Sequence, residues 1–395
     1  MKEQINKNLF NNTRLAYISK SNSDLIKSYL IFWSLNNQFF SKIGTSLLQF
    51  FLKLNFPIKS LLKKTIFSQF CGGETLDECN KIVLTLSKYN IFSMPDYSVE
   101  GEDSEKGFED NMNKTIRIIE SIGKSKLPFY VVKLTGLISY DSLEKISIDK
   151  NSEFSKNEYL KLKNRLEKII LSAIENSVSL LIDAEESWIQ DSIDSVSLDL
   201  MSKYNKKSIF LYLTFQCYRK GALDRIKNSF KISKKNNFKL GVKLVRGAYM
   251  EKERERAFEN GYDSPIHNTK KNTDLEFNNS VEFCINNLNN LSTWIGSHNE
   301  DSFIRIASLM DKNNIKRDDK RVWFSQLYGM SENISFNLAK LGYNVVILIP
   351  FGPIKKTIPY LIRRAKENSS VKGQSSRQFL LVKNEIKRRK ILTLI

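Results

Sequence analysis

From residue 91 onward the chain alternates short apolar runs rich in Val, Ile, Leu and Phe with longer polar stretches, and this alternation restricts the fold more than any single motif. The runs are 91–99, 129–137, 180–184, 209–215, 239–245, 293–297, 322–326 and 344–350. Strands of a parallel sheet are covered on both faces, so they read as continuous apolar runs and not as a strict alternation. Between them, 112–122, 158–176, 221–235, 274–287, 302–312 and 332–340 have the length and periodicity of crossover helices. Strand then helix, eight times over, predicts a (β/α)8 TIM barrel. A doubly wound sheet is the alternative, but a dinucleotide-binding one carries GxGxxG in its first strand–helix turn, and this sequence has none.

Residues 1–90 read as a helical region that precedes the barrel. Asp24 is expected to cap a helix over 25–35, and an apolar helix follows over 43–54. Gly72-Gly73 interrupts the pattern, and Leu76, Cys79, Val83 and Leu86 resume it at helical spacing within 75–89. The expected division is therefore a helical region, 1–90, and a barrel with a basic tail, 91–395.

Composition excludes several classes. With 41% apolar and 27% charged residues the chain is globular, not disordered. Its four cysteines (Cys71, Cys79, Cys217, Cys284) form no CxxC pair, and with only two histidines (His267, His298) no Cys/His zinc set can be assembled, so no metal site is expected. No run of about 18 uncharged apolar residues occurs. The first twenty residues lack the apolar core of a secretory signal, and Glu3 and Asp24 argue against a transit peptide, so a cytoplasmic, reducing location is expected. The net charge of +19 is concentrated at the ends. Residues 1–70 carry ten Lys/Arg against two acids and 353–395 twelve against two, while 71–352 is nearly balanced. Such ends could meet an anionic membrane or nucleic acid, or could be a solvated surface; no RNA- or DNA-recognition motif accompanies them, and no nucleic-acid partner is expected.

A barrel places its active site where the strands end. Polar residues do stand in or just after the runs: Lys133 in VVKL, Asp183 in LLIDAE, Gln216 in LTFQ, Lys243 and Arg246 in VKLVRGAY, and His298 in IGSHN. A lone Lys or Asp in an apolar strand is costly unless paired. A buried Lys133–Asp183 ion pair would explain two of them; several such groups converging from different strands point to a site.

The longer motifs VKLVRGAYMEKERERAFENGYDSPI (242–266), LLIDAEESW (180–188), TFQCY (214–218), SHNEDS (297–302), YLIRRAKENSS (360–370) and FCGGETLDEC (70–79) resemble FAD-dependent proline dehydrogenase. The resemblance runs from about residue 10 to 389, with no segment for the aldehyde-dehydrogenase domain of bifunctional relatives, and so implies a monofunctional member. It implies a distorted barrel and oxidation of L-proline to 1-pyrroline-5-carboxylate, the first step of proline catabolism. Hydride would pass from proline C5 to flavin N5 and electrons to a membrane quinone, with a separate pyrroline-5-carboxylate dehydrogenase downstream. A peripheral position on the cytoplasmic side of the inner membrane would bring the quinone within reach. Arg363 and Arg364 correspond to a carboxylate clamp, for which paired guanidinium hydrogen bonds suit, with Lys133 as a third positive group. Asp183 corresponds to an active-site aspartate that holds Lys133 charged. Lys243, an arginine in many relatives, supplies a cation that favours the reduced flavin, and these two are the expected catalytic residues. Tyr249 and Tyr360 correspond to walls of the substrate pocket. Ala184, Gln216, Lys243, Arg246, Gly247, Ala248, Ser297 and His298 fall on FAD-contact positions, with Gly247 letting the backbone approach a bulky ring.

One position departs from the family. Before Pro350-Phe351-Gly352 a tyrosine usually lies against the proline ring, and here Leu348 stands in its place. The loss of a planar face and a hydroxyl leaves hydroxyproline as an alternative substrate. A catalytically impaired barrel serving as a basic membrane- or nucleic-acid-binding protein is the alternative from another class.

Overall fold

The computed structural model describes residues 5–36, 59–97, 103–370 and 374–391, with the side chains of all of these except 59, 61, 365–370, 374 and 375. The helix expected over 43–54 and the apolar tail 392–395 lie outside the described residues. Eight strands are present: β1 Ile91–Tyr97, β2 Phe129–Val132, β3 Ser179–Ile182, β4 Leu211–Gln216, β5 Leu240–Val245, β6 Leu291–Gly296, β7 Val322–Leu327 and β8 Val345–Phe351. They form one sheet in the order β1-β8-β7-β6-β5-β4-β3-β2, parallel throughout its described pairings, with helices in the crossovers. This is the (β/α)8 topology that the alternating sequence predicts.

Contacts divide the chain into two compact units, one of Met1–Val99 with Gln326–Ile395 and one of Glu100–Ser325. The division differs from the cut expected at residue 90, because β1 groups with the N-terminal helices and with β8. Paired from Ile91↔Val345 to Tyr97↔Phe351, β1 and β8 bind the two ends of the chain into one unit.

In the unit Glu100–Ser325, side chains from strands far apart in the sheet order meet. The Phe129 ring of β2 stands edge-on to Trp323 of β7, with centroids 4.8 Å apart, and to Tyr212 of β4 at 5.9 Å. The Tyr212 hydroxyl in turn meets Ser292 Oγ of β6 at 2.9 Å. Four strands separate β2 from β7 in the sheet order, so the Phe129–Trp323 contact requires the sheet to curl until its inner face packs on itself. Helix starts follow local chemistry. Ser104, Ser139, Ser152, Thr269 and Asn299 each accept a hydrogen bond from the backbone N–H three residues on. Such caps contribute about 1 kcal/mol each. The strand expected over 129–137 ends at Val132, since Leu134–Gly136 forms a 3-10 turn closed by Gly136 N–H donating to the Lys133 carbonyl at 3.2 Å. Lys133 therefore sits at the strand end and not within it.

In the other unit, the helix Asn22–Asn36 begins on a capping box: Ser21 Oγ accepts from Asp24 N–H, and the Asp24 carboxylate accepts from Ser21 N–H, both at 3.2 Å. The cap is thus Ser21, with Asp24 as its reciprocal partner one turn in. Phe32, Phe67, Phe70, Leu361, Val382 and Ile386 belong to one buried cluster. The buried Glu385 of the helix Gln374–Arg388 accepts from Arg388 Nε at 2.8 Å and from Arg389 Nε at 2.7 Å. Burial would raise its carboxyl, but the hydrogen bonds from the two arginines outweigh this and hold it below its ordinary value. Arg389 also donates to the carbonyls of Tyr17 and Lys20.

The packing inside the curl gives a direct expectation. Phe129→Ala should cost about 3–5 kcal/mol, as for a large-to-small change in a filled core, and lower the thermal midpoint by several degrees. Phe258→Ala, at a side chain 89% exposed, should change stability by less than about 0.5 kcal/mol. Thermal and denaturant unfolding of both variants checks the pair.

Candidate active site

The ends of β2, β3, β4 and β5 bring two ammonium groups and two carboxylates together. Lys243 lies inside β5, in register with Thr214 of β4 and Trp294 of β6, and is only 5% exposed. A cation so placed needs a counter-charge. Asp183, the residue after β3, supplies it by accepting from Lys243 Nζ. The ammonium also lies over the Trp294 ring, 5.2 Å from its centroid. Lys133 Nζ stands 3.9 Å from Asp183 Oδ2 and 4.0 Å from Glu185 Oε2. Asp183 is therefore shared, with Lys243 as its close partner and Lys133 as its distant one.

Lys133 Nζ also donates to Tyr249 Oη at 3.3 Å, and that hydroxyl donates to Glu185 Oε2 at 3.2 Å. Glu185 is buried, and Thr135 Oγ1 donates to its other oxygen at 2.8 Å. Burial pushes the Glu185 carboxyl above its ordinary value, with Lys133 drawing it back. Burial likewise raises the Tyr249 phenol, against the same Lys133. Gln216, at the end of β4, joins two loops: its Nε2 donates to the Glu185 carbonyl at 2.6 Å and its Oε1 accepts from Ala248 N–H at 3.1 Å. Ala184, between the two acids, is buried.

Along the next strand ends Arg246 acts as a strut. Its Nε donates to Asp274 at 2.7 Å, and its terminal nitrogens donate to Ser297 Oγ at 2.8 Å and Ser302 Oγ at 2.9 Å. The guanidinium stacks 4.3 Å from the Phe277 ring centroid. Three of its five N–H groups are spent in this way. Gly247, at φ +134°, and Ala248 are exposed. A Cβ on Gly247 would lie 2.3 Å from the Tyr218 ring, so within the structure the ring that the missing side chain makes room for is Tyr218. Ser297 accepts from Asn299 N–H at 3.1 Å, and His298 beside it is half-buried.

The unit Glu100–Ser325 thus brings together Lys133, Asp183, Ala184, Gln216, Lys243, Arg246, Gly247, Ala248, Tyr249, Ser297 and His298 at the ends of its strands. Leu348, Tyr360, Arg363 and Arg364 belong to the other unit. There Leu348, in β8, is buried and pairs in register with Met94 of β1. Arg364 lies 5.3 Å from the Tyr360 ring centroid on the helix Ile354–Ser370. The residue that the sequence reading passed over is Glu185, although it stands within the LLIDAEESW motif.

The sequence model described as proline dehydrogenase matches residues 79–377. The chain belongs to the proline dehydrogenase family. It is 31% identical over 436 aligned positions to the mitochondrial proline dehydrogenase 1 of Dictyostelium discoideum, covering 98% of this chain and 76% of that protein. It is 29% identical to a hydroxyproline dehydrogenase of Xenopus laevis, covering 83% of this chain and 78% of that one. Among solved structures, proline utilization A (PutA) from Bdellovibrio bacteriovorus superposes with a TM-score of 0.74 at 21% identity, over 91% of this chain. The present chain spans 42% of that PutA chain, and at this identity the likeness speaks for the fold. Membership makes the protein an oxidoreductase acting on proline.

Behind the Glu185 loop, Gln190 accepts from Glu185 N–H at 2.9 Å and donates to Asp194 at 2.7 Å. Burial pushes the Asp194 carboxyl up to about 6, with the hydrogen bond from Gln190 and the charge of Arg225 pulling the other way. An acid raised in the folded state contributes stability below its unfolded value near ~3.9, lost as pH climbs through the folded one. Asp194→Asn should therefore stabilise the protein at pH 8, by on the order of 1–2 kcal/mol after solvent screening. The gain should vanish at pH 4. Urea unfolding of both proteins at the two pH values checks the sign.

Proposed function

We propose that this protein oxidises L-proline to 1-pyrroline-5-carboxylate with FAD as its bound cofactor, and passes the electrons to a membrane quinone. The observation that carries the reading is the pairing of the buried Lys243 with the half-buried Asp183 at the strand ends, with Gly247 and Ala248 exposed beyond the end of β5. The residues fit a flavin. The exposed residues Gly247 and Ala248 offer a surface for a large planar ring, Lys243 supplies a fixed cation, and Arg246 keeps two N–H groups for a further acceptor. Ala184, Gln216, Ser297 and His298 would complete the contacts. A flavin held by these residues would supply the acceptor, its N5, for the hydride that leaves proline C5.

The protein's own part is to bind, orient and neutralise. Lys243 favours the added negative charge on the ring, and Asp183 keeps that lysine in position without leaving its charge uncompensated. Arg363 and Arg364 are the proposed clamp for the proline carboxylate through charge-assisted bonds, with Lys133 as a third positive group and Tyr249 and Tyr360 as the proposed aromatic contacts of the substrate. The product is handed to a separate pyrroline-5-carboxylate dehydrogenase. Anionic lipid would be met by the basic ends, where Lys387 and Lys390 are exposed while Arg389 is engaged with Glu385, Tyr17 and Lys20. No helix among the described residues is long and apolar enough to cross a membrane.

Hydroxyproline is a second substrate to weigh, because Leu348 replaces a ring that would crowd a C4 hydroxyl and because a hydroxyproline dehydrogenase is among the relatives.

The test is anaerobic reduction of the flavin by L-proline and by trans-4-hydroxyproline in parallel. Purified protein without bound flavin, or without proline-dependent bleaching, overturns the reading. Arg363→Met and Arg364→Met should each raise KM for proline by an amount equivalent to about 2–5 kcal/mol with flavin retained; unchanged KM in both would remove them as the clamp. Leu348→Tyr should tighten proline binding and raise the preference for proline over hydroxyproline, by at most about 100-fold. An unchanged ratio of kcat/KM for the two substrates would mean that this position does not set specificity.

A further inference from the structure

The geometry points to Glu185 as a positioning residue for proline, acting through the hydroxyl of Tyr249 and the ammonium of Lys133. The inference rests on the function proposed above and adds to it a residue and a direction of hydrogen bonding.

The direction follows from what each group can do. A lysine ammonium has donors only, a carboxylate has acceptors only, and a phenol has one proton to give and lone pairs to receive. In the row Lys133–Tyr249–Glu185 the phenol must therefore accept from Lys133 at 3.3 Å and give its single proton to Glu185 Oε2 at 3.2 Å. The Tyr249 hydroxyl is thus not free to rotate to suit a ligand; its proton is committed, and what it shows elsewhere is a lone pair. Glu185 also lies 4.0 Å from Lys133 Nζ, so the same oxygen that fixes the phenol helps to hold the ammonium.

For Glu185 to impose this arrangement it must itself be held, and it is held at every polar atom. Thr135 Oγ1 donates to Oε1 at 2.8 Å, its backbone N–H donates to Gln190, and its carbonyl accepts from Gln216. Its partners come from the loops after β2 and β5 and from the last residue of β4, and Glu185 itself lies in the loop after β3, so its side chain and its carbonyl together tie four consecutive strand ends. A carboxylate buried to this degree and raised by that burial carries an energetic cost that a purely structural bridge could avoid with an amide. Here the charge sits where two proposed substrate-binding groups, Lys133 and Tyr249, meet.

The test is a double-mutant cycle on the FAD-loaded protein, read as KM and kcat for L-proline. Glu185→Ala and Tyr249→Phe should each raise KM about tenfold, with kcat changed less than about threefold and flavin content unaltered, since binding and not the chemical step is disturbed. The double variant should fall well short of the product of the two single effects, because the Tyr249–Glu185 bond is lost in both while the Lys133 arm is lost only with Glu185. Glu185→Gln, which can still accept from the phenol but no longer attracts the Lys133 ammonium, should recover only part of the lost affinity. Thr135→Val, which only releases Oε1, should show a smaller rise in KM that shrinks further when Tyr249 is already Phe; it serves if Glu185→Ala does not fold. Effects that multiply in either cycle, or an unchanged KM in Glu185→Ala, overturn the inference. Those results leave the proposed function standing as long as proline still bleaches the flavin of the unmodified protein, whereas the absence of that bleaching strikes the function itself.

Discussion

A cation inside a parallel strand has no water to turn to, and much of the site arrangement follows from how Lys243 is compensated. Flanked by Thr214 and Trp294 on the adjacent strands, its ammonium has an aromatic face on one side and the carboxylate of Asp183 on the other. Replacing such a pair by apolar groups would often be neutral or stabilising, while removing one partner is costly. A chain that keeps it gains nothing certain in stability, which makes a chemical use for the charge the natural reason for its presence. Asp183 has to stand at the very end of β3 to reach across, and that fixes Ala184 and Glu185 in the loop beyond.

From that loop the order spreads outward through neutral groups. Gln216 clips the Glu185 carbonyl to the Ala248 N–H, and Gln190 clips its N–H to Asp194. Farther round, Arg246 joins the ends of β5 and β6 to the helices Lys270–Asn286 and Glu300–Lys312 through Asp274, Ser297 and Ser302. Each bond is modest by itself, but together they leave few strand-end side chains with a choice of rotamer. Preorganisation of this kind is what positions groups for chemistry at little further entropic cost.

Much of this was legible in the sequence. All eight strands follow from their continuous apolar runs, because burial on both faces leaves a strong compositional trace. Lys133, Asp183 and Lys243 stand out for the opposite reason, as charges where the pattern calls for Val or Leu. Other features left no such trace. The helix Met250–Glu259 has only Glu253 and Ala257 buried, so it shows no apolar stripe. Glu185 lies past the strand among other acids, where a charge is unremarkable until Thr135 and Tyr249 are seen to bond with it. The early end of β2 depended on a 3-10 turn at Leu134–Gly136, which is flanked by the apolar strand on one side and by Leu137 and Ile138 on the other. Arg246 was expected to face a ligand, and only the fold reveals how much of its guanidinium is spent within the protein.

The pairing of β1 with β8 and the bonds of Arg389 also bear on the order in which the chain can acquire its structure. One unit is a continuous stretch, Glu100–Ser325, whereas the other is assembled from residues on both sides of it. Ile91 finds its partner only at Val345, and the Tyr17 carbonyl waits for Arg389, 372 residues later. Contacts so distant in sequence require closure of long loops before they return any energy. During synthesis the continuous unit can bury its strands as they emerge, while the helices made first stay without their partners until the last helix has been released. Phe32, Phe67 and Phe70, which end in one buried cluster with Leu381, Val382 and Ile386, are the apolar side chains that need shielding during that interval.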